Sequence, residues 1–150
     1  MDLDRKQIGK LLNLSEEYIV IDKAIYDPDY PNDIKAFKLL ARDDIDFKSH
    51  IPDYLVYPDY AIEKILNQGI RLLVRLLYPD LKGIPAAMIE HTKLRGQLYP
   101  NDQMTVLIKK WQNRSKIAKF EIGIVNQKGT IVYESTIYGT LIKKREAETF

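Results

Sequence analysis

One long amphipathic stretch, residues 59–78, constrains the fold most, because sequence of β type lies on both sides of it. Within it Ile62, Ile65, Leu66, Gly69, Ile70, Leu73, Leu76 and Leu77 recur at three- and four-residue steps, which is the period of one helix face. Lys64, Asn67, Gln68, Arg71 and Arg75 form a second, polar stripe. Asp59 reads as the N-cap and Pro79 as the stop. A lone helix of this kind buries its apolar stripe only by lying on a sheet.

The flanking sequence supplies the sheet. "QIGKLLNL" reads as a short helix with Ile8, Leu11 and Leu12 on one side. The β-branched and aromatic run from Tyr18 to Ile21 reads as a strand. "DPDYPND" is a turn, and "IKAFKLLA" is placed to be the returning arm of a hairpin. After the helix, "AAMIEHTKLRG", "QMTVLIKKWQ", "KIAKFEIGIVN" and "GTIVYESTIYGTLIKK" read as four consecutive strands, separated by the turn sequences "YPND", "NRS" and "QKG". In the third, Ala118, Phe120, Ile122 and Ile124 alternate with Ile117, Lys119, Glu121 and Gly123, so one face is core. The expected architecture is α+β, with a curved antiparallel sheet wrapped around one central helix. Residues 1–150 form a single domain, and about 143–150 are a frayed tail.

Composition narrows the function classes. At 45% apolar residues the chain suits a packed core, and a net charge of +2 spread along the sequence gives no nucleic-acid footprint. There is no cysteine and only His50 and His91, which excludes disulfides, thiolate chemistry and multi-histidine metal sites. The start is charged from its second residue, unlike a secretory signal, and no apolar run reaches the ~18 residues of a membrane span. The expected location is cytoplasmic.

The candidate site is "FKSHIPDYLVYP", which puts His50 and two prolines directly before the helix. His50 is either a loop histidine bonded to backbone or a group held at the helix start for chemistry. Lys64, Arg71 and Arg75 are either a solvated stripe or the lining of a dimer groove or a tunnel. His91 reads as structural, Trp111 and the ten tyrosines as core and interface, and "QKGT" as a hairpin turn.

These features together resemble the β-hydroxyacyl-acyl-carrier-protein dehydratases of the hotdog fold. "YIVIDKAI" resembles that family's first strand, with Asp22 and Lys23 near its end. "FKSHIPDYLVYP" resembles its catalytic loop, with His50, Pro52 and Pro58, and "LRGQLYPNDQM" its Pro-Gly-Asp turn leading into a strand. Three positions depart from the pattern. Ser49 and Asp59 stand where the family has glycine, and Lys64 stands where it has its catalytic acid, while the glutamine four residues on is kept as Gln68.

The resemblance implies a lyase acting on 3-hydroxyacyl or enoyl thioesters of acyl carrier protein or coenzyme A, in fatty acid or polyketide metabolism, without a cofactor or metal. It implies His50 as base, Lys64 and Gln68 at the acid side, and Pro58, Asp59 and Tyr60 bordering substrate where helix-start N–H groups bind the oxyanion. An ammonium, ordinarily near pKa 10.4, donates a proton at neutral pH only after a large downward shift. Glu63 replaces it only if the helix bulges. The alternatives are a non-catalytic subunit that binds acyl thioester or carrier, and a thioesterase. The assembly implied is a homodimer or an oligomer of dimers.

Overall fold

The structure, a computed structural model, describes residues 1–51, 53–83, 86–114, 116–140 and 142–143. The elements in order are β1 (Asp2–Asp4), α1 (Arg5–Leu12), a 3-10 turn (Glu16–Tyr18), β2 (Lys23–Ile25), β3 (Asp33–Leu39), α2 (Ile45–His50), α3 (Asp59–Leu77), β4 (Leu81–Gly83), β5 (Ala86–Leu94), β6 (Gln103–Arg114), β7 (Ile117–Val125), β8 (Ile131–Thr140) and β9 (Ile142–Lys143). Seven strands form one sheet in the order β1-β2-β3-β6-β7-β8-β5, and β4 pairs with β9. Every described pairing is antiparallel.

The apolar stripe of α3 supplies the centre of the core. Ile62, Ile65, Leu66, Ile70 and Leu73 are buried together with Ile34 of β3, Val106 and Ile108 of β6, and Phe120 and Ile124 of β7. Burying one such side chain is worth about 1.5–3 kcal/mol. The inner face of β7 is the expected one: Ala118, Phe120, Ile122 and Ile124 are all buried. Gly69 marks where helix and sheet come closest, since a Cβ there would lie 2.5 Å from Ile108 Cδ1.

The helix boundaries differ slightly from the sequence reading. Pro58 is the N-cap rather than Asp59, and no side chain caps the helix start. Tyr78 is the C-cap, one residue beyond the last helical position. Besides the 3-10 turn, three elements lay outside the sequence reading: β1, which pairs with β2, α2, which occupies part of the expected loop, and β4, which pairs with β9. In the expected tail Lys143 belongs to β9, while 144–150 lie outside the described residues, as does Pro52.

The strand expected over Tyr18–Ile21 does not form. The chain makes a 3-10 turn through Tyr18 and enters the sheet at Lys23. Gln68 of α3 is the physical reason. Its Oε1 accepts from Val20 N–H at 2.9 Å and its Nε2 donates to Tyr18 C=O at 2.6 Å. The side-chain amide takes the backbone groups that a neighbouring strand would otherwise use, while Ile19 and Ile21 are still buried. Gln68→Ala should therefore lower stability by about 1–2 kcal/mol in urea unfolding and speed amide exchange at Val20, because two partly solvated groups lose their partner.

Candidate functional site

Asp44 caps α2 by accepting from Asp46 N–H at 2.9 Å. Phe47 anchors this short helix in the core, fully buried with its ring 5.3 Å from that of Tyr57. The helix ends at His50, and the chain then runs to Pro58, held to the segment before β6 by Tyr57 N–H donating to Leu98 C=O at 2.8 Å. His50 is thus fixed beside the start of α3.

His50 Nδ1 lies 3.2 Å from the backbone oxygen of Val56. A carbonyl only accepts, so Nδ1 carries the proton and Nε2 is the lone-pair nitrogen of the neutral ring. The ring stands edge-on to Tyr60, 6.4 Å between centroids, and the Tyr60 hydroxyl is 2.9 Å from Ser49 Oγ. At the start of α3 the Pro58 carbonyl accepts from Ala61 and Ile62 N–H. Asp59 and Tyr60 occupy the first helical turn, where backbone N–H groups have no partner within the helix.

A cavity of about 270 Å³ opens here. His50, Asp59, Tyr60, Leu94 and Gln97 form its exposed rim. Val56, Tyr57, Pro58, Ile62, Leu98, Val132 and Tyr133 form its buried wall. Burial raises the phenols of Tyr57 and Tyr133 above their ordinary value, and the carboxylates of Asp44 and Asp46 add to the effect at Tyr57. Both are neutral hydroxyls at neutral pH.

The structure brings four sequence-singled residues together around this cavity: His50, Pro58, Asp59 and Tyr60. Two stand elsewhere. Lys64 is exposed on α3 and does not line the cavity, and among the described residues it makes no ion pair within the chain. Gln68 is committed to the backbone of Tyr18 and Val20.

Asp22 and Lys23 serve the sheet edge. Asp22 accepts from Leu39 N–H at 2.7 Å and faces Arg5 at 3.4 Å, and Lys23 pairs with Asp2 at 3.8 Å. In the "YPND" turn, Asn101 takes φ 70°, and its N–H donates to Leu40 C=O at 2.7 Å. His91 is exposed at an irregular point of β5 with φ 52°, beside a hollow of about 610 Å³ formed also by Lys35, Leu107, Lys109, Glu121 and Glu134.

The residues that sequence reasoning missed are Tyr57, Leu98, Val132 and Tyr133. The last two reach the wall together because the β7–β8 register slips between Ile124 and Val125, whose partners are Tyr133 and Ile131. Val132 is the extra residue, and it turns inward beside Tyr133. If Val56 holds His50 as the geometry shows, nitrogen-resolved NMR at neutral pH should find the imidazole proton on Nδ1. Replacing Val56 leaves this bond in place, since its backbone makes it.

No protein-family model matches the chain. Over 128 residues, 85% of the chain and 89% of the relative, it is 27% identical to the 3-hydroxyacyl-[acyl-carrier-protein] dehydratase FabZ of Thermotoga neapolitana. Among solved structures it resembles the dehydratase heterocomplex ApeI:P from Xenorhabdus doucetiae, with TM-score 0.72 and 13% identity over 95% of both chains. It also resembles a hypothetical thioesterase with coenzyme A from Streptococcus pneumoniae, with TM-score 0.68 and 10% identity over 90% of this chain and 97% of that one. The fold is therefore the hotdog fold of the acyl-thioester dehydratases and thioesterases. Within it, the chain is a distant homologue of FabZ-type dehydratases.

Proposed function

We propose that this protein takes 3-hydroxyacyl or enoyl thioesters, carried on acyl carrier protein or coenzyme A, into the cavity beside His50, with His50 as general base. The observation that carries the reading is the His50–Val56 hydrogen bond at 3.2 Å, which leaves Nε2 as the basic nitrogen of a ring fixed at the cavity rim. In dehydration Nε2 takes the proton from the α-carbon, and the electron pair moves into the enolate. The charge on the thioester oxygen is met by N–H groups of the first turn of α3. The bond to the 3-hydroxyl then breaks as that oxygen is protonated and leaves as water.

The proton donor is the weak element of the site. Lys64 is exposed on α3 and stands outside the cavity lining of its own chain, so in this reading it serves a site only when another subunit is present. The acidic residues that flank His50 in sequence (Asp43, Asp44, Asp46, Asp53 and Asp59) outnumber Arg42 and Lys48 there and complement the Lys64, Arg71 and Arg75 stripe, which supports a symmetric pair. Sedimentation at micromolar concentration should give at least twice the 17.5 kDa chain mass. A monomer would count against a shared site.

A lysine at the acid position makes this a slow dehydratase. Lys64→Glu should raise hydration–dehydration of short 3-hydroxyacyl thioesters, by up to the hundred- to ten-thousand-fold that a placed acid–base group is worth (on the order of 10²–10⁴). His50→Ala should remove that gain, since base and acid act as a unit. The replaced acid also favours a second reading, in which the chain binds acyl thioesters without dehydrating them or hydrolyses them. Release of free thiol separates hydrolysis from binding alone. A natural rate that falls on Lys64→Glu would show the lysine to be a working part of the site.

A further inference from the structure

We infer that Tyr133 closes the buried end of the His50 cavity and restricts this protein to short acyl groups, a reading that rests on the thioester function proposed above. Tyr133 is 5% exposed and forms the cavity wall with Val132, Leu98 and Ile62. Burial raises its phenol above the ordinary value, and the carboxylates of Glu63 and Asp59 on α3 add to this electrostatically. The hydroxyls of Ser135 and Thr92, which lie 3.0 Å apart on β8 and β5, hydrogen-bond with the phenol and so fix the ring against the sheet.

The buried ring thus forms part of the inner wall of the cavity, where a longer chain would meet it. It is also firmly held. The bulge that turns Val132 and Tyr133 inward is clamped by two donors, Arg95 N–H and Gly96 N–H, on the single carbonyl of Val132 at 2.9 and 3.2 Å. Gly96 leaves no slack, since a Cβ there would sit 3.2 Å from Val132 Cγ1.

The volume agrees with the wall. A dry protein cavity of about 150 Å³ accepts benzene, so about 270 Å³ has room for on the order of ten non-hydrogen atoms. A four-carbon 3-hydroxyacyl group with its sulfur has about seven, and a twelve-carbon one about fifteen. The short group fits with Tyr133 in place, whereas the long one needs the space of the ring.

Calorimetric titration of the purified protein with butyryl- and dodecanoyl-coenzyme A tests this. The natural chain should bind the butyryl thioester at least about tenfold more tightly, given that one methylene in a fitted pocket is worth about ten- to two-hundred-fold. Tyr133→Ala should narrow or reverse that ratio. Tyr133→Leu should do so in part, and serves if the alanine variant fails to fold. Tyr133→Phe, which keeps the ring, should hold the natural ratio. Equal affinity of the natural chain for the two thioesters, or an unchanged ratio in the folded alanine or leucine variant, overturns the inference while leaving the thioester reading intact. Failure of the natural chain to bind either thioester overturns both.

Discussion

How closely α3 can lie on the sheet decides the rest of the structure. At Gly69 the helix backbone meets the side chain of Ile108 with no room for a Cβ in its present place, so only that one side chain separates helix from sheet there. That contact sets the height at which Ile65 and Leu66 on one side and Ile70 and Leu73 on the other meet the inner faces of β6 and β7. It also sets where the first turn of α3 emerges, and hence where Asp59 and Tyr60 stand relative to His50. A side chain at 69 has to displace the end of Ile108 or move the helix, and any helix movement reaches the site from a packing detail well away from it.

Much of this was legible because it follows from periodicity. The helix from 59 and the four strands after it carry patterns of three to four and of two, and burial of one face enforces both. The returning arm, read over 34–41 and found at Asp33–Leu39, was placed by its turn. What failed was local in sequence and tertiary in cause. Tyr18–Ile21 has every mark of a strand, and Ile19 and Ile21 are buried as strand residues would be, yet its hydrogen bonds go to a side chain about fifty residues away. No window of residues reveals that Gln68 will spend its amide there. The bulge at Val132 is equally invisible, because "TIVYEST" reads as a plain alternating strand.

The candidate site divides along the same line. His50, Pro58, Asp59 and Tyr60 are near neighbours in sequence, and local geometry suffices to gather them. The wall opposite comes from Leu98 on the approach to β6 and from Val132 and Tyr133 of β8, and the two β8 residues carried no motif. Lys64 and Gln68 share a helix stripe, and from spacing alone they look like partners. The structure gives them different tasks, with Gln68 turned to the N-terminal segment and Lys64 left toward solvent. The cavity wall therefore joins residues that are far apart in sequence, and its shape is specified by packing rather than by any short motif.

The strand order carries a kinetic consequence. β3 lies beside β6, and its partners, from Asp33 with Lys109 to Leu39 with Gln103, are about seventy residues apart along the chain. Between them the chain must lay down α2, α3 and β5 before the sheet can close across its middle. The hairpins β6–β7 and β7–β8 join neighbours in sequence and can form early. The join between β3 and β6 pays the loop-closure entropy of everything between them. A helix that docks on β6 before β3 arrives offers the missing strand a half-built inner face with its backbone groups unpaired. The order in which the chain is assembled is then set by the one seam that sequence neighbours cannot make.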